Sequence, residues 1–263
     1  MKPDYKNWIP KGMLAALIAG TVLSFIGLLL FGAFGVCVQG GIRIALGVIF
    51  AVALLVCGKS TQWCICAYKA FSYDGERKLS KQIIDGTAAY ITLPKGGIGL
   101  DVGCGSGALA IACAKRNPQG QMIGIDRWGK EYASFSLPLC QNNAKAEGVN
   151  NAEFRRGDAT KLDFPDECFD AVTSNYVYHN ISGADNQQLL LETLRVLRKG
   201  GTFAIHDLMS PRRYGDMQAF VKKLKDMGYA RVELIDTTDE KFMSRSEAKR
   251  LMLNGSALLV GRK

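Results

Sequence analysis

The sequence predicts an α/β domain, a mostly parallel sheet with helices on both faces, preceded by a hairpin of two apolar membrane helices. Three observations lead there. From Gly12 to Ile42 no residue is charged, a run of 31 residues. After Phe71 the composition turns mixed and polar, and short apolar runs alternate with amphipathic stretches, the pattern of a sheet fed by crossover helices. The first of those runs leads into DVGCGSG, Asp101 to Gly107, a glycine-rich bend that opens a helix.

The apolar stretch comes first in the chain. A spanning helix takes roughly 20 apolar residues. One span is expected at about 13–35 and a second at about 41–58, with Gly40 and Gly41 in the turn and Arg43 and Lys59 reaching outward to water. Residues 1–70 are thus read as an anchor and 71–263 as the soluble domain. Gly12, Ala16, Gly20 and Ser24 recur every fourth residue and would form a smooth stripe, matched by Gly47 and Ala51 on the second helix. Trp8 and Trp63 fall near the expected interfaces. Lysines and arginines flank both outer ends while the turn holds Arg43 alone, so both ends are expected in the cytoplasm. A cleaved leader is the rival reading, but the apolar stretch is too long for one and a second run follows it.

The net charge is +9, and residues 1–70 carry six basic residues against Asp4 as the only acid. That excess beside apolar segments points to an anionic lipid surface. No basic run interleaved with aromatics marks a nucleic-acid face. Eight cysteines include no C-x-x-C pair, and the chain has two histidines, too few for a zinc site. The cysteines read as small buried hydrophobes in a reducing compartment.

In the soluble part, YDGERKLSKQIIDGTAAYI reads as a linker and a helix. GGIGLDVG is a buried strand and SGALAIACAKRN a helix. GQMIGID is a strand, and KEYASFSLPLCQNNAKAEG a helix interrupted by Pro138. AEFRRGD and CFDAVTSN are strands, and NQQLLLETLRVLRKGG is a helix with a glycine stop. TFAIHD is a strand and GDMQAFVKKLKDMG a helix, before the closing strands ARVELID and SALLVGRK.

Ligands of such sheets bind beyond the carboxyl ends of the strands. Gly103, Gly105 and Gly107 clear side chains from the first of these ends, and the next helix offers free N–H groups. Asp126 closes the second strand, where a carboxylate accepts from ribose hydroxyls and repels a 2′-phosphate. Asp158, after the third, could accept from an adenine amino group. Asn175, Tyr176, Tyr178 and His179 follow the fourth, and His206 and Asp207 close the fifth. Gly103, Gly105 and Ala108 also satisfy a relaxed dinucleotide fingerprint, which leaves an NAD-linked oxidoreductase open. A non-catalytic cofactor-binding protein is a third reading.

Together these segments resemble the class I S-adenosylmethionine-dependent methyltransferases, and within them the type 11 small-molecule branch. LDVGCGSG resembles that family's first motif, GID its second, GDAT its third and FDAVTSNYVYHNI its fourth, while LRVLRKGGTFAIHD resembles its fifth strand with the preceding helix. The chain is also similar to uncharacterised bacterial members with two leading membrane helices and a second motif like GIDRWGK. The resemblance implies a Rossmann-like seven-stranded sheet with the last strand, SALLVGRK, reversed. It implies S-adenosyl-L-methionine as cofactor, its methionine part over Gly103, Gly105 and Gly107, with Asp101 near the amino group. Asp126 would take the ribose, with Arg127 and Trp128 beside it. Asp158 and Ala159 would meet the adenine, and Asn175 would border the methyl. The expected acceptor is a small or lipid-like molecule at the bilayer. A hydroxyl acceptor needs a base, for which His179 is the first candidate and His206 the second. Tyr178 and Tyr214 are expected to shape the acceptor pocket, and the basic loop SPRRYGDM, Ser210 to Met217, to lie at its mouth, where Arg212 and Arg213 would meet lipid headgroups or an anionic acceptor.

Overall fold

The computed structural model describes residues 2–129 and 134–263. The part of the expected second-motif and helix readings that falls on 130–133 lies outside the described residues. Two compact units form: Asn7–Lys78, and residues 2–6 together with Leu79–Lys263. The second unit thus gathers the first few residues, which the sequence reading placed with the anchor.

The first unit is a helical hairpin. Helix α1, Lys11–Gly27, continues as a π-helical stretch, Leu28–Ala33, and α2 runs Gly40–Phe71. Both are long and apolar enough to cross a membrane. At 1.5 Å per residue the 32 residues of α2 extend about 48 Å, more than a hydrocarbon core of about 30 Å requires. The helix therefore outruns the expected end near residue 58, because KSTQWCICAYKAF holds no glycine or proline to stop it. The packing also differs from the expected stripe. Gly12 faces open space, and Gly47 meets Gly32, whose added Cβ would lie 3.0 Å from the Gly47 Cα. Gly27 lies under the Phe50 ring, where a Cβ would come within 2.4 Å. Farther along, Thr21 and Thr61 hydroxyls share a 2.9 Å hydrogen bond. Arg43 turns back over the hairpin bend and donates to the carbonyls of Gly32 and Ala33 at 3.0 and 2.5 Å. It satisfies helix-end carbonyls that have no partner within the helix.

The second unit is a seven-stranded sheet among the described residues, ordered β3-β2-β1-β4-β5-β7-β6. The strands are β1 Ile98–Val102, β2 Gln121–Asp126, β3 Ala152–Arg156, β4 Phe169–Asn175, β5 Leu197–Leu208, β6 Arg231–Asp236 and β7 Ser256–Arg262. All pair in parallel except β7, which is antiparallel to both β5 and β6. The helices are α3 Leu79–Ala88, α4 Ala108–Arg116, α5 Leu137–Ala146, α6 Asn186–Arg195, α7 Pro211–Tyr214, α8 Met217–Asp226 and α9 Arg245–Arg250. Strand order reverses between β1 and β4, so their carboxyl ends flank the crevice where open α/β sheets bind ligands.

Two local expectations change. Pro138 does not interrupt a helix. It sits in the first turn of α5, where its missing N–H costs no bond, while Ser136 caps the helix by accepting from Leu139 N–H at 3.3 Å. The helix before β5 stops at Arg195, and LRKGG joins β5 across a register shift opposite Phe169 and Ala171. The basic loop after β5 contains the one-turn α7. Of the cysteines, Cys64, Cys104, Cys113 and Cys140 are buried, whereas Cys37 and Cys66 are exposed.

Candidate functional site

The glycine bend leaves β1 with Gly103, Gly105 and Gly107 all at positive φ, 73°, 55° and 82°. The backbone needs glycine there, and so does the space: a Cβ on Gly103 would lie 2.3 Å from Val177. The bend is tied down from the β2 side. Gly103 and Cys104 donate to the Ile125 carbonyl at 2.8 and 2.9 Å. Asp126 accepts from Gly105 N–H at 2.9 Å with one oxygen and from Trp128 N–H at 2.7 Å with the other. The Trp128 indole donates to the Gly105 carbonyl at 2.9 Å.

Asp101, at the end of β1, is 1% exposed. Its Oδ2 accepts from Ala110 N–H in the first turn of α4 at 3.0 Å, and its Oδ1 is buried with no partner among the described residues. Burial first, and then the nearby Asp126 charge, push this carboxyl well above the usual range, against the Ala110 bond. Asp158 caps its own turn: its Oδ1 accepts from the N–H and the hydroxyl of Thr160, both at 2.8 Å. Those bonds, and then the charge of Arg127, hold it below the usual range. Ala159 is half-buried against the core.

Beyond β4 the chain makes a 3₁₀ turn, Tyr178–Asn180. It is held by Asp207 at the end of β5. The fully buried Asp207 accepts from Tyr178 N–H at 2.9 Å, from Leu208 N–H at 2.6 Å and from the His179 imidazole at Nδ1. Nε2 of His179 has no hydrogen-bond partner among the described residues, and the ring is partly exposed. Arg213 of α7 donates to the His179 carbonyl at 2.9 Å, Arg212 is exposed, and Tyr214 is buried close to Asp207.

His206 lies in a different setting. It is fully buried in β5; Nδ1 bonds Asn175 Oδ1 and Nε2 bonds Thr237 Oγ1, each at 2.9 Å. Burial drives its pKa down to about 3. The structure therefore brings Asp101, the three glycines, Asp126, Asn175 and His179 to the carboxyl edge of the sheet, with His206 buried beside Asn175 on the neighbouring strand.

Residues 94–251 match a family model described as a methyltransferase domain. The chain belongs to this methyltransferase family. Demethylmenaquinone methyltransferase of Roseiflexus castenholzii is 33% identical over 127 residues, covering 48% of this chain and 49% of that protein. The same enzyme of Listeria welshimeri is 33% identical over 135 residues, covering 51% and 54%. The chain thus spans about half the length of the curated relatives it matches. Two solved structures share the fold. Geranyl diphosphate methyltransferase in complex with GPP and sinefungin has a TM-score of 0.54 at 14% identity, covering 74% of this chain and 81% of that one. The [4+2]-cyclase SpnF has a TM-score of 0.53 at 20% identity, covering 70% and 81%.

Membership of a methyltransferase family speaks against the NAD-linked reading. The residues fit S-adenosylmethionine, the cofactor that the sequence resemblance implies. The partnerless Asp101 Oδ1 is an acceptor for an ammonium group, and pairing would relieve the cost of burying the acid. Asp126 has spent two of about four lone-pair positions, which leaves acceptors for a diol. Sequence reasoning named Asp207 as a strand-end residue and gave it no role, and it passed over Asn143 of α5. Asp207 had a signal in its strand-end position; Asn143 had none.

Proposed function

We propose that this protein is a membrane-anchored methyltransferase that methylates a lipid-like phenol or quinol, with its soluble domain on the cytoplasmic side. The observation that carries the reading is the carboxylate-held imidazole of His179 at the edge of the glycine bend. A base of this kind is needed when the acceptor must lose a hydroxyl proton to become nucleophilic, and it suits a quinol. The apolar hairpin and the demethylmenaquinone methyltransferases among the relatives support an acceptor dissolved in the bilayer.

S-adenosylmethionine supplies an activated methyl group, so the protein's work is to position, to shield and to move one proton. Asp101, the glycine bend, Asp126 and Arg127 hold the cofactor at the ends of β1 and β2, and Asp158 and Ala159 border its base. Asn175 orients the methyl-bearing end, itself held by His206. His179 accepts the acceptor's hydroxyl proton at Nε2. Asp207 fixes the tautomer by accepting from Nδ1 and stabilises the imidazolium that results. His206 is left a supporting role, because both its nitrogens are committed and burial keeps it neutral.

The cytoplasmic placement follows from the flanking positive charge. The test is to incubate the purified protein with radiolabelled S-adenosylmethionine and either a reduced prenylated quinol or a membrane lipid extract lacking quinones. Label on the quinol carbon or oxygen supports the reading. Label only on quinone-free lipid overturns the acceptor assignment.

A further inference from the structure

Asn143 is 1% exposed and stands between two segments that are distant in sequence. Its Oδ1 accepts from Asp4 N–H at 2.7 Å. Its Nδ2 donates to the Asp4 carbonyl at 3.0 Å and to the Ser106 carbonyl at 2.9 Å. One oxygen faces a donor and one nitrogen faces two acceptors, so the amide has a single workable orientation. Ser106 lies inside the glycine bend, between Gly105 and Gly107, both at positive φ. A peptide flanked by two glycines has little intrinsic preference for where its carbonyl points. Asn143 supplies that preference, and Asp4 in turn holds Asn143.

The N-terminal segment is fixed independently of this amide. Tyr5 is buried, and its hydroxyl donates to Glu147 Oε1 at 3.1 Å. Glu147 also binds Lys115 of α4 at 2.6 Å. The Lys115 bond is the largest influence holding Glu147 below the usual carboxylate range. The segment is thus a strap, clamped at Tyr5 and plugged into the bend through Asn143.

We propose that Asn143 is a positioning residue for cofactor binding, and that the strap of residues 3–5, which leads into the apolar hairpin, completes the cofactor site by holding Asn143 in place. The inference rests on the reading that the Gly103–Gly107 bend holds S-adenosylmethionine. The strap then makes cofactor affinity a property of the full chain, since the residues that set it precede the first apolar helix.

The experiment uses the full chain in detergent micelles. Isothermal titration measures S-adenosylmethionine and its demethylated product binding to wild type, Asn143→Leu, Asp4→Pro and Asp126→Ala. Asp4→Pro removes the N–H that Asn143 accepts and leaves the Asn143 side chain in place. Asn143→Leu should weaken both ligands about tenfold, and Asp4→Pro about threefold, the scale of one buried hydrogen bond lost directly or at one remove. In turnover assays both should raise KM for the cofactor and leave kcat at saturating cofactor unchanged, a split that general destabilisation does not produce. Wild-type affinity in both variants, with Asp126→Ala weakened, overturns the strap while leaving the cofactor site in place. Wild-type affinity in all three overturns the cofactor reading and the strap with it. Should Asn143→Leu fail to fold, Asp4→Pro decides alone: unchanged affinity there overturns the proposal.

Discussion

The Asp126 carboxylate accepts from the backbone N–H of Gly105 at 2.9 Å, so the acid that ends β2 holds the bend that ends β1. One side chain therefore serves two ends of the site. It orients the loop amides, and on the proposed reading its remaining lone pairs take a sugar diol. Asp126→Ala should weaken S-adenosylmethionine binding by about ten- to a hundredfold, the range of lost hydrogen bonds to a charged group. Titration calorimetry on the full chain reads this directly. An affinity within twofold of wild type would remove Asp126 from the site.

The His179–Asp207 pair predicts a different signature. His179→Ala should lower kcat by about 10²- to 10³-fold, the scale of a lost general base, with cofactor affinity unchanged. Asp207→Asn should lower kcat too, and should also destabilise the fold by about 1–3 kcal/mol, because buried Asp207 accepts from Tyr178 and Leu208 N–H as well as from His179. Rapid-quench turnover and chemical denaturation separate the two effects. Full activity in His179→Ala would transfer the proton to another group or show that the acceptor needs no base.

Much of this arrangement was legible in the chain. Alternating apolar runs gave the strands and helices in order, since period and punctuation are local properties. The acids Asp101, Asp126 and Asp158 could be placed at strand ends because a strand's carboxyl end is where its apolar run stops. The sequence ranks His179 ahead of His206 as the base, but it does not hold the reason that separates them in the fold. Each follows an apolar run, yet His206 is enclosed where β5 lies between β4 and β7, while His179 sits on a turn past the end of β4. That difference is made by which strands become neighbours. Asn143 shows the same limit more sharply, as its partners lie 37 and 139 residues away. Pro138 is the opposite case: the preference of proline for a first helical turn was available, and a break was expected instead.

His206 gives the fold a pH dependence whose sign can be worked out. Its ordinary pKa of 6.5 falls to about 3 in the folded protein. Between those values the unfolded chain binds the proton and the folded chain does not. Stability from this group is therefore complete above about pH 6.5 and is lost as pH falls toward 3, with a slope of at most about 1.4 kcal/mol per pH unit. Asp101 pulls the other way, since a raised carboxyl pKa stabilises the folded state on its acidic side. The difference between wild type and His206→Gln isolates the histidine. Denaturation of both at pH 7 and pH 5 should show wild type losing more stability than the variant. Parallel losses would mean that His206 is charged in the folded state.

The hairpin makes a prediction about covalent reach and sidedness together. A Cβ on Gly20 would stand 3.4 Å from the Cys57 sulfur, close to the separation across a disulfide. Gly20→Cys should therefore cross-link to Cys57 under mild oxidation, and peptide mapping should find that pair in preference to pairs with Cys64 or Cys66. The turn between the helices carries Cys37, which is exposed, whereas Cys168 belongs to the unit that holds the sheet. If both helices cross the bilayer, a membrane-impermeant maleimide should label Cys37 in intact cells and reach Cys168 only after lysis. The cross-link reports on helix packing and the labelling on sidedness. A missing cross-link would unseat the helix register, which rests on Gly32 against Gly47 and Thr21 against Thr61. Labelling of Cys168 before lysis would leave the register standing and put the soluble unit on the outer face, where an acceptor drawn from the cytoplasmic leaflet could no longer reach it.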